Sequence, residues 1–216
     1  YMVLIQSVAI FFGQGSGTYI SRALGRREVC DAEEMAAVGG LGKIYTFGPS
    51  FRAEKSDTPR HVAEFWHVEP EVCFADINEI MDIGEEFIKY VINDVLVNCA
   101  EEMEFCNKFI EKGLIDKLKH VVGSEFARVD YTEAVKILED SKHKFEYPVF
   151  WGCDLQTEHE RYLTDVHFKR PVFVVNYPKD LKAFYMKQNP DGKTVAATDL
   201  LVPGVGEIIG CSERET

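Results

Sequence analysis

The sequence lacks closely spaced cysteine pairs, and this absence excludes two common kinds of structural support. The 216 residues contain six cysteines with no C-x-x-C motif among them. Structural zinc sites and the disulfide frameworks of small secreted domains both depend on clustered cysteines. We therefore expect neither, and the scattered thiols indicate a reducing, cytoplasmic setting.

Positive charge is also scarce. The chain carries 24 lysines and arginines against 36 acidic residues, which gives a formal net charge of -12. Affinity for phosphate backbones is mainly an electrostatic contribution of Lys and Arg. A surface that grips nucleic acid over its whole extent is therefore excluded, whereas a local basic patch is compatible with the sequence.

Long apolar runs and phosphate-binding loops are missing too. The apolar start, YMVLIQSVAIFFG, has no basic flank, and its unbroken apolar part is too short to span a bilayer. We interpret it as a buried strand or helix, and we expect no membrane association. The stretch GQGSG is not followed by Lys-Ser or Lys-Thr, so it is interpreted as a turn. Because the chain begins without methionine and inside apolar sequence, we expect it to be a piece of a longer protein.

The first half of the chain predicts a helix, a hairpin and a longer helix. AEEMAAV consists of strong helix formers. KIYTFGPSFRAE and HVAEFWHVEPEVCFA, separated by the turn-forming KSDTP, are typical of two paired strands. Apolar residues at helical spacing then predict an amphipathic helix from Ile80 to about Asn98.

The second half predicts short helices followed by strands. Residues 100–145 read as short helices, the clearest being DYTEAVKILEDS with Thr132 as its N-cap. TEHER holds one histidine among acids, and we interpret it as a solvated helix face or the edge of a substrate pocket. The predicted strands are RPVFVVNYP, KAFYMKQ, KTVAATDLLVPG and GEIIGCSER, with NPDGK as a turn. Together these elements predict an α+β domain on a mainly antiparallel sheet.

The hairpin sequence FRAEKSDTPRHVAEFWHVEPE is unusually rich in charge. Strand alternation places Arg52 and Glu54 on one face of the first strand, and Phe65, His67 and Glu69 on one face of the second. A guanidinium suits a bidentate grip on phosphate, and a carboxylate beside it can hold Mg²⁺ or an amine. The residues alone leave a second interpretation open, an ion-pair ladder on a solvated sheet face.

This string closely resembles motif 2 of the class II aminoacyl-tRNA synthetases, in the form carried by the asparaginyl enzymes. The resemblance covers most of the chain through ordered blocks, among them YTFGPSFRAE, RHVAEFWHVEPE, WGCDLQTEHERYLT, YPKDLKAFYM and DGKTVAATDLLVPGVGEIIG. It implies an incomplete class II synthetase-like fold, a mainly antiparallel sheet flanked by helices. It also implies ATP- and Mg²⁺-dependent activation of L-asparagine, transfer to tRNA(Asn), and a cytoplasmic homodimer.

The resemblance implies a nucleotide site on the hairpin. Arg52 is expected to hold the α-phosphate of ATP together with the amino acid carboxylate, and therefore to act in catalysis. Glu54 is expected at the adenine end, with Phe65 near the adenine ring. Arg60 and His61, at the hairpin tip, are expected to bind the outer phosphates.

Further roles are implied for the metal and the amino acid. Glu207 is expected to bind the Mg²⁺ of the nucleotide, and Arg214 is expected to contact the amino acid side chain and to act in catalysis. Glu69 is expected to receive the side-chain amide NH₂. The chemistry agrees, because adenylate formation forces a carboxylate onto an α-phosphate and needs positive charge and metal. A glutamate facing the amide favours Asn and repels Asp.

The resemblance also implies how the chain is divided into segments and where it departs from the family pattern. The divisions are a divergent part at 1–43, the motif 2 hairpin and following helix at 44–98, a small helical insertion at 99–147, and sheet strands at 148–216. Cys30 and Asp31 stand where Gly and Gln are expected, and Cys211 stands in a Gly-Gly-Ser position. The third motif and the anticodon-binding OB-fold domain are not in the sequence. We therefore expect this chain alone to bind ATP weakly and to read no anticodon.

Two alternatives stay open beside the ligase. One is an asparagine synthetase-like paralogue that uses the same adenylate chemistry without tRNA. The other is a noncatalytic remnant that folds and pairs with a full-length partner. Exchange of pyrophosphate into ATP separates the three hypotheses. Exchange that depends on Asn indicates the ligase, and exchange that depends on Asp indicates the paralogue. A folded domain that shows no exchange indicates the remnant.

Overall fold

The computed structural model describes residues 40–51 and 63–215. The chain divides into two compact units, Tyr1–Phe74 and Ala75–Thr216, which are described one at a time. Our predictions for the apolar start, for GQGSG, for the helix at AEEMAAV and for the hairpin tip fall outside the described residues.

The first unit contains the predicted hairpin. Strands β1 (Lys43–Phe51) and β2 (Glu64–Val72) pair antiparallel, with Lys43 opposite Val72 and Phe51 opposite Glu64. Paired residues share a face of the ribbon, and alternate residues along each strand do the same. The register therefore confirms that Phe65, His67 and Glu69 lie on one face.

The second unit begins with three helices, α1 (Ile77–Asn98), α2 (Ala100–Phe109) and α3 (Leu114–Gly123). The predicted long helix is confirmed, and it begins at Ile77 because Asp76 caps it. The Asp76 carboxylate accepts the backbone N–H groups of Asn78 and Glu79, and the Glu79 side chain accepts the Asp76 N–H. This reciprocal capping box satisfies backbone donors that the first turn leaves unpaired.

A four-stranded sheet follows, formed by β3 (Ala127–Asp130), β4 (Val172–Val175), β5 (Ala197–Val202) and β6 (Gly206–Ser212) in that order. β3 pairs parallel to β4, and the other two pairings are antiparallel. The predicted α+β class with a mainly antiparallel sheet is thus confirmed.

One strand was missed and one strand prediction was wrong. β3 lies within residues 100–145, which we expected to form short helices. KAFYMKQ, expected to be a strand, makes only single bridges, from Met186 to Arg214 and from Gln188 to Val195. Its backbone bonds to two different segments, because the Lys187 N–H donates to Glu213 O while Lys187 O accepts from Ala196 N. A ladder of consecutive pairs along one neighbour therefore does not form.

Helix α4 (Tyr131–Asp140) corrects a capping prediction, because its N-cap is Asp130 and not Thr132. Asp130 Oδ1 accepts the Thr132 N–H at 2.8 Å, and Oδ2 accepts the Asn176 side-chain N–H at 2.9 Å. Thr132 lies inside the first turn, where its hydroxyl oxygen accepts from Trp151 Nε1 at 3.1 Å. A carboxylate with two acceptor oxygens can serve both partners at once.

TEHER forms helix α5 (Thr157–Arg161), which continues as a π-helix, Tyr162–His167. The expected solvated face was wrong, because the His159 side chain is fully buried. Its Nδ1 accepts the Gln156 N–H at 3.1 Å. The neighbouring Glu158 carboxylate accepts the backbone N–H groups of Glu146 and Tyr147 at 3.0 and 2.7 Å. Glu158 and His159 thus fasten the preceding loop.

The core of the second unit lies on both faces of the sheet. Alternation along β4 and β5 sends Phe173 and Leu200 to one face, where they pack with Met81 of α1. The other face contributes Val174 and Leu201 to a second cluster. The buried members of that cluster are Ala127, Val129, Tyr131, Ala134, Val135, Leu138, Leu163, Val172, Val174, Tyr177 and Leu201. Within the described ranges, no helix is both long and apolar enough to cross a membrane.

Candidate functional site

Two carboxylates meet over a glycine where β5 pairs with β6. Asp199 lies opposite Gly210 in the sheet. A Cβ added to Gly210 would be 3.1 Å from Glu207 Oε1 and 3.4 Å from Asp199 Oδ1. An alanine at this position would therefore displace the carboxylates by a few tenths of an ångström.

A β-bulge brings Glu207 to the same face as Asp199. The register shifts between Leu200 and Leu201, so that Leu200 pairs with Ile209 whereas Leu201 pairs with Glu207. Ile208 is thus the extra residue on β6. Because paired residues share a face, the bulge turns Glu207 toward the side on which Leu201 and Asp199 lie.

Lys182 completes this cluster. Its ammonium donates to both oxygens of Asp199 at 2.9 and 2.7 Å, and it lies 4.0 Å from the centre of the Tyr177 ring. The Lys182 and Asp199 side chains are only 19% and 12% exposed. Burial raises the pKa of Tyr177 well above its usual value, with the nearby Asp199 charge adding to the effect, so the phenol stays neutral.

Sequence reasoning missed Lys182, Asp199 and Tyr177. The one available signal was the charge of Asp199 inside the otherwise uncharged β5, since a lone carboxylate in a buried strand requires a partner. Nothing in the periodicity identified Lys182 as that partner, because it reaches the sheet from an irregular segment.

Cys211 lies beside this cluster on β6. Burial raises the pKa of its thiol to about 12, and the charge of Asp199 contributes. The thiol is therefore protonated at neutral pH and adds no negative charge. The five cysteines in the described ranges, Cys73, Cys99, Cys106, Cys153 and Cys211, are all free thiols.

Arg214 follows β6 and is partly buried. Its guanidinium carbon lies 4.5 Å from the centre of the Tyr185 ring, a cation–π arrangement. The backbone on either side is anchored, because Arg214 bridges to Met186 and the Glu215 N–H donates to Tyr185 O at 3.0 Å. The side chain is therefore held on a fixed stretch of backbone.

The hairpin presents Glu69 on the face that it shares with Phe65 and His67. The Thr46 hydroxyl donates to Glu69 Oε2 at 3.2 Å, and His67 Nδ1 lies 3.3 Å from Oε1. The rings of Phe65 and His67 are 5.6 Å apart in an edge-to-face arrangement. The remaining hairpin residues with predicted roles lie outside the described residues: Arg52, Glu54, Arg60 and His61.

The donor set of the second unit suits a magnesium ion better than a structural metal. Residues 40–51 and 63–215 contain no group of three or more His, Cys, Asp or Glu side chains that could hold a metal ion. Magnesium is usually bound by one or two protein carboxylates, with phosphate oxygens and water as the other ligands. Asp199 and Glu207 provide such a pair.

Comparison with known proteins relates most of the chain to one family. The family described as tRNA synthetases class II (D, K and N) matches residues 32–216. The asparagine–tRNA ligase of Clostridium beijerinckii is 64% identical over 205 residues, which are 95% of this chain and 42% of that protein. The chain thus spans less than half the length of the curated relatives that it matches.

Solved structures agree with this relationship. The asparaginyl-tRNA synthetase of Pyrococcus horikoshii, complexed with asparaginyl-adenylate, superposes with a TM-score of 0.72 at 43% identity, over 83% of this chain and 39% of that one. The enzyme from Entamoeba histolytica, also in complex with asparaginyl-adenylate, gives 0.69 at 31% identity, over 83% and 40% of the two chains.

Proposed function

We propose a function from one premise: the chain belongs to the class II tRNA synthetases (D, K and N). We propose that it forms part of the catalytic domain of an asparagine–tRNA ligase. The observation that carries the proposal is the carboxylate pair over Gly210, in a fold that superposes on a synthetase holding asparaginyl-adenylate. The relatives named asparagine–tRNA ligase support the choice of amino acid.

In the proposed reaction, the carboxylate of L-asparagine attacks the α-phosphorus of ATP. A carboxyl oxygen–phosphorus bond forms, the bond from the α-phosphorus to the bridging oxygen breaks, and pyrophosphate leaves with that oxygen. A terminal ribose hydroxyl of tRNA(Asn) then attacks the carbonyl carbon of the adenylate, an ester bond forms, the bond from that carbon to the phosphate oxygen breaks, and AMP leaves. Because both reactants are anions, positive charge must be placed before they meet. We assign that role to Arg52, with Arg60 and His61 on the outer phosphates.

The adenine end and the metal involve other side chains. We propose that Glu54 and Phe65 contact the adenine, and that Glu207 with Asp199 holds Mg²⁺. When bound, the ion neutralises phosphate charge. Lys182 fixes the Asp199 carboxylate through its two hydrogen bonds, so that the carboxylate is positioned before the nucleotide arrives.

Amino acid selection is assigned to Glu69 and Arg214. An asparagine side chain offers an NH₂ donor, which a glutamate carboxylate accepts, whereas an aspartate side chain presents a second negative charge. Like-charge rejection then separates two substrates of nearly equal size. Arg214, partly buried and stacked on Tyr185, is the second proposed contact for the amino acid side chain, and we propose that it also acts in catalysis.

The oligomeric state and the cellular location are proposed from membership of the family. We propose a homodimeric, cytoplasmic enzyme that acts on tRNA(Asn). The divisions at residues 43, 98 and 147 are proposed to separate a divergent first part, the hairpin with its helix, a helical insertion, and the strands of the active-site sheet.

The test is amino acid-dependent exchange of pyrophosphate into ATP. Because the chain spans 42% of the Clostridium beijerinckii enzyme, we place it in that enzyme in place of the matching segment. Exchange that depends on Asn supports the proposal. Exchange that depends on Asp instead indicates the synthetase-like paralogue, and a folded but silent hybrid indicates a noncatalytic remnant.

Arg52→Ala in the same hybrid tests the phosphate assignment. Loss of one preorganised charge donor lowers rates by about 10²–10³-fold, or roughly 3–4 kcal/mol of transition-state stabilisation. Arg128→Ala is a matched control, since this guanidinium is paired with Asp82 in the second unit. An Arg52→Ala exchange rate equal to that of the parent would contradict the assignment.

A further inference from the structure

Both oxygens of the Glu69 carboxylate are engaged by other side chains of the hairpin. The Thr46 hydroxyl donates to Oε2 at 3.2 Å. The imidazole Nδ1 of His67 lies 3.3 Å from Oε1. These contacts come from two different strands, so the carboxylate is held from two directions.

The register of the hairpin explains why these residues meet. Thr46 is the direct partner of Glu69 across the antiparallel pair, and His67 opposes Gly48. Residues two apart on a strand lie on the same face, which brings His67 beside Glu69. A Cβ added to Gly48 would meet no atom within 4 Å, so the imidazole is not crowded from the opposite strand.

We propose that Thr46 and His67 are positioning residues that determine amino acid specificity through Glu69. This inference rests on the proposed function, in which Glu69 accepts the side-chain amide of asparagine. Rejection of aspartate requires a negative charge that cannot move away from it. An unheld glutamate has several rotamers and would swing out of the pocket when an anionic side chain enters.

The two contacts leave room for the substrate. An ionised carboxylate has about four acceptor positions on its two oxygens. Thr46 uses one on Oε2, and His67 Nδ1 lies within ion-pairing distance of Oε1, so each oxygen keeps at least one acceptor position. The side chains of His67 and Glu69 are 38% and 56% exposed, and ion pairs this exposed contribute little to folding stability. We therefore expect their effect on specificity rather than on the melting temperature.

The first experiment compares the ratio of kcat/KM for Asn and Asp in the hybrid enzyme described above. Thr46→Val keeps the shape of the side chain and removes the donor, and we expect the ratio to fall about tenfold, the typical effect of one hydrogen bond to a charged group. Thr46→Ser restores the hydroxyl and should retain the ratio of the parent. His67→Phe should lower it, whereas His67→Asn, which places an amide N–H near the position of Nδ1, should retain most of it.

The outcomes separate the two proposals. A lowered ratio in Thr46→Val and His67→Phe, with Thr46→Ser equal to the parent, supports the positioning role. An unchanged ratio in both removal variants overturns it while leaving the ligase proposal intact, because the parent still depends on Asn. A parent without Asn-dependent exchange overturns the proposed function itself.

A second experiment tests the contact without catalysis. In this chain alone, ring ¹⁵N resonances of His67, assigned by their loss in His67→Asn, should report a proton on Nδ1 and should shift in Glu69→Gln. Glu213→Gln, an acidic residue of the second unit paired with Lys187, is the control and should leave them unchanged. Resonances that do not respond to Glu69→Gln would overturn the positioning proposal whatever the exchange assay shows.

Discussion

Lys182 and Asp199 place opposite charges where each side chain is less than a fifth exposed. Removing charges from water is costly, so such a pair is retained only when each partner is well hydrogen-bonded. Here the ammonium reaches both carboxylate oxygens and also the Tyr177 ring. Breaking the pair leaves an uncompensated charge in a poorly solvated place.

We predict that Asp199→Ala lowers the free energy of unfolding by about 3 kcal/mol, the lower end of the range for breaking a buried pair. Glu111→Gln is the matched control, because its pair with Lys117 is 49% and 63% exposed and should contribute less than about 1 kcal/mol. Urea unfolding followed by circular dichroism measures both. Equal losses in the two variants would contradict the buried-pair interpretation.

At the residue scale, the sequence predicted which residue types the site needs but not what holds them. Glu69 and Glu207 were predicted from the resemblance, whereas Thr46, Lys182 and Asp199 were not. A cross-strand partner depends on register, and a lysine reaching in from an irregular segment depends on the course of that segment. Neither is encoded in periodicity.

At the scale of elements, the starts of two helices are fixed by single carboxylates. Asp76 begins α1 and Asp130 begins α4. Asp130 also joins α4 to the residue after β4, because its second oxygen accepts from Asn176. Asn176 has a left-handed backbone with a φ of 59°, a conformation that asparagine tolerates better than most residues.

We predict that Asp130→Ala lowers the free energy of unfolding by about 2 kcal/mol, roughly 1 from the cap and 1 from the bond to Asn176. Asp130→Asn keeps a capping oxygen but loses the second acceptor, so it should lose about half as much. Thermal unfolding of the variants provides the comparison. If Thr132→Ala lowers the free energy of unfolding more than Asp130→Ala does, Thr132 and not Asp130 is the cap.

Acid should weaken the fold through carboxylates that accept backbone N–H groups. Three such carboxyl groups have a pKa below the usual value, chiefly because each accepts a backbone N–H. The donors are Glu79 for Asp76, Glu146 for Glu158, and Thr194 for Asp191. A carboxyl with a lowered folded pKa binds fewer protons than in the unfolded chain. Its stabilisation is therefore complete above the unfolded pKa and is lost as the pH falls through the folded one.

We predict that the urea midpoint of the parent decreases when the pH is lowered from 6 to 3. The midpoint of Glu158→Gln should decrease less. The two proteins should differ most above 4.5, the ordinary pKa of a glutamate, and converge in acid. Urea titrations at both pH values measure this. A difference that is the same at pH 6 and pH 3 would contradict a role for the ionised carboxylate.

Most elements were predictable, and the failures have local causes. The hairpin, the helix ending at Asn98 and the last two strands have clear periodicity and turn residues. β3 has only four residues and directly precedes a helix, so no period develops. KAFYMKQ has the composition of a strand, but its backbone pairs with two segments, and tertiary context overrides propensity.

At the scale of the whole molecule, the second unit contains both apolar clusters. Every residue of these clusters lies between Met81 and Ile209. None of the hairpin residues in the described ranges is fully buried. Among the described residues, both buried clusters are therefore formed by the second unit alone.

We predict that residues 75–216, produced alone, unfold cooperatively on heating, with the helical circular dichroism expected from α1 to α5. Leu163→Ala is the matched test of the core, since this side chain is fully buried and its truncation should lower the free energy of unfolding by about 2–5 kcal/mol. A gradual, non-cooperative loss of signal from the unmodified segment would contradict an independent core.

The bulge at Ile208 has a consequence for which changes this region can accept over evolution. One extra residue decides the side of the sheet on which Glu207 lies. As long as the bulge is kept, deleting or inserting one residue between Glu207 and Gly210 would move the Glu207 side chain to the opposite face. Substitutions in the turn leave this spacing intact. Among natural variants of this segment, we therefore expect exchanges of residue type to be common and single-residue length changes to be eliminated.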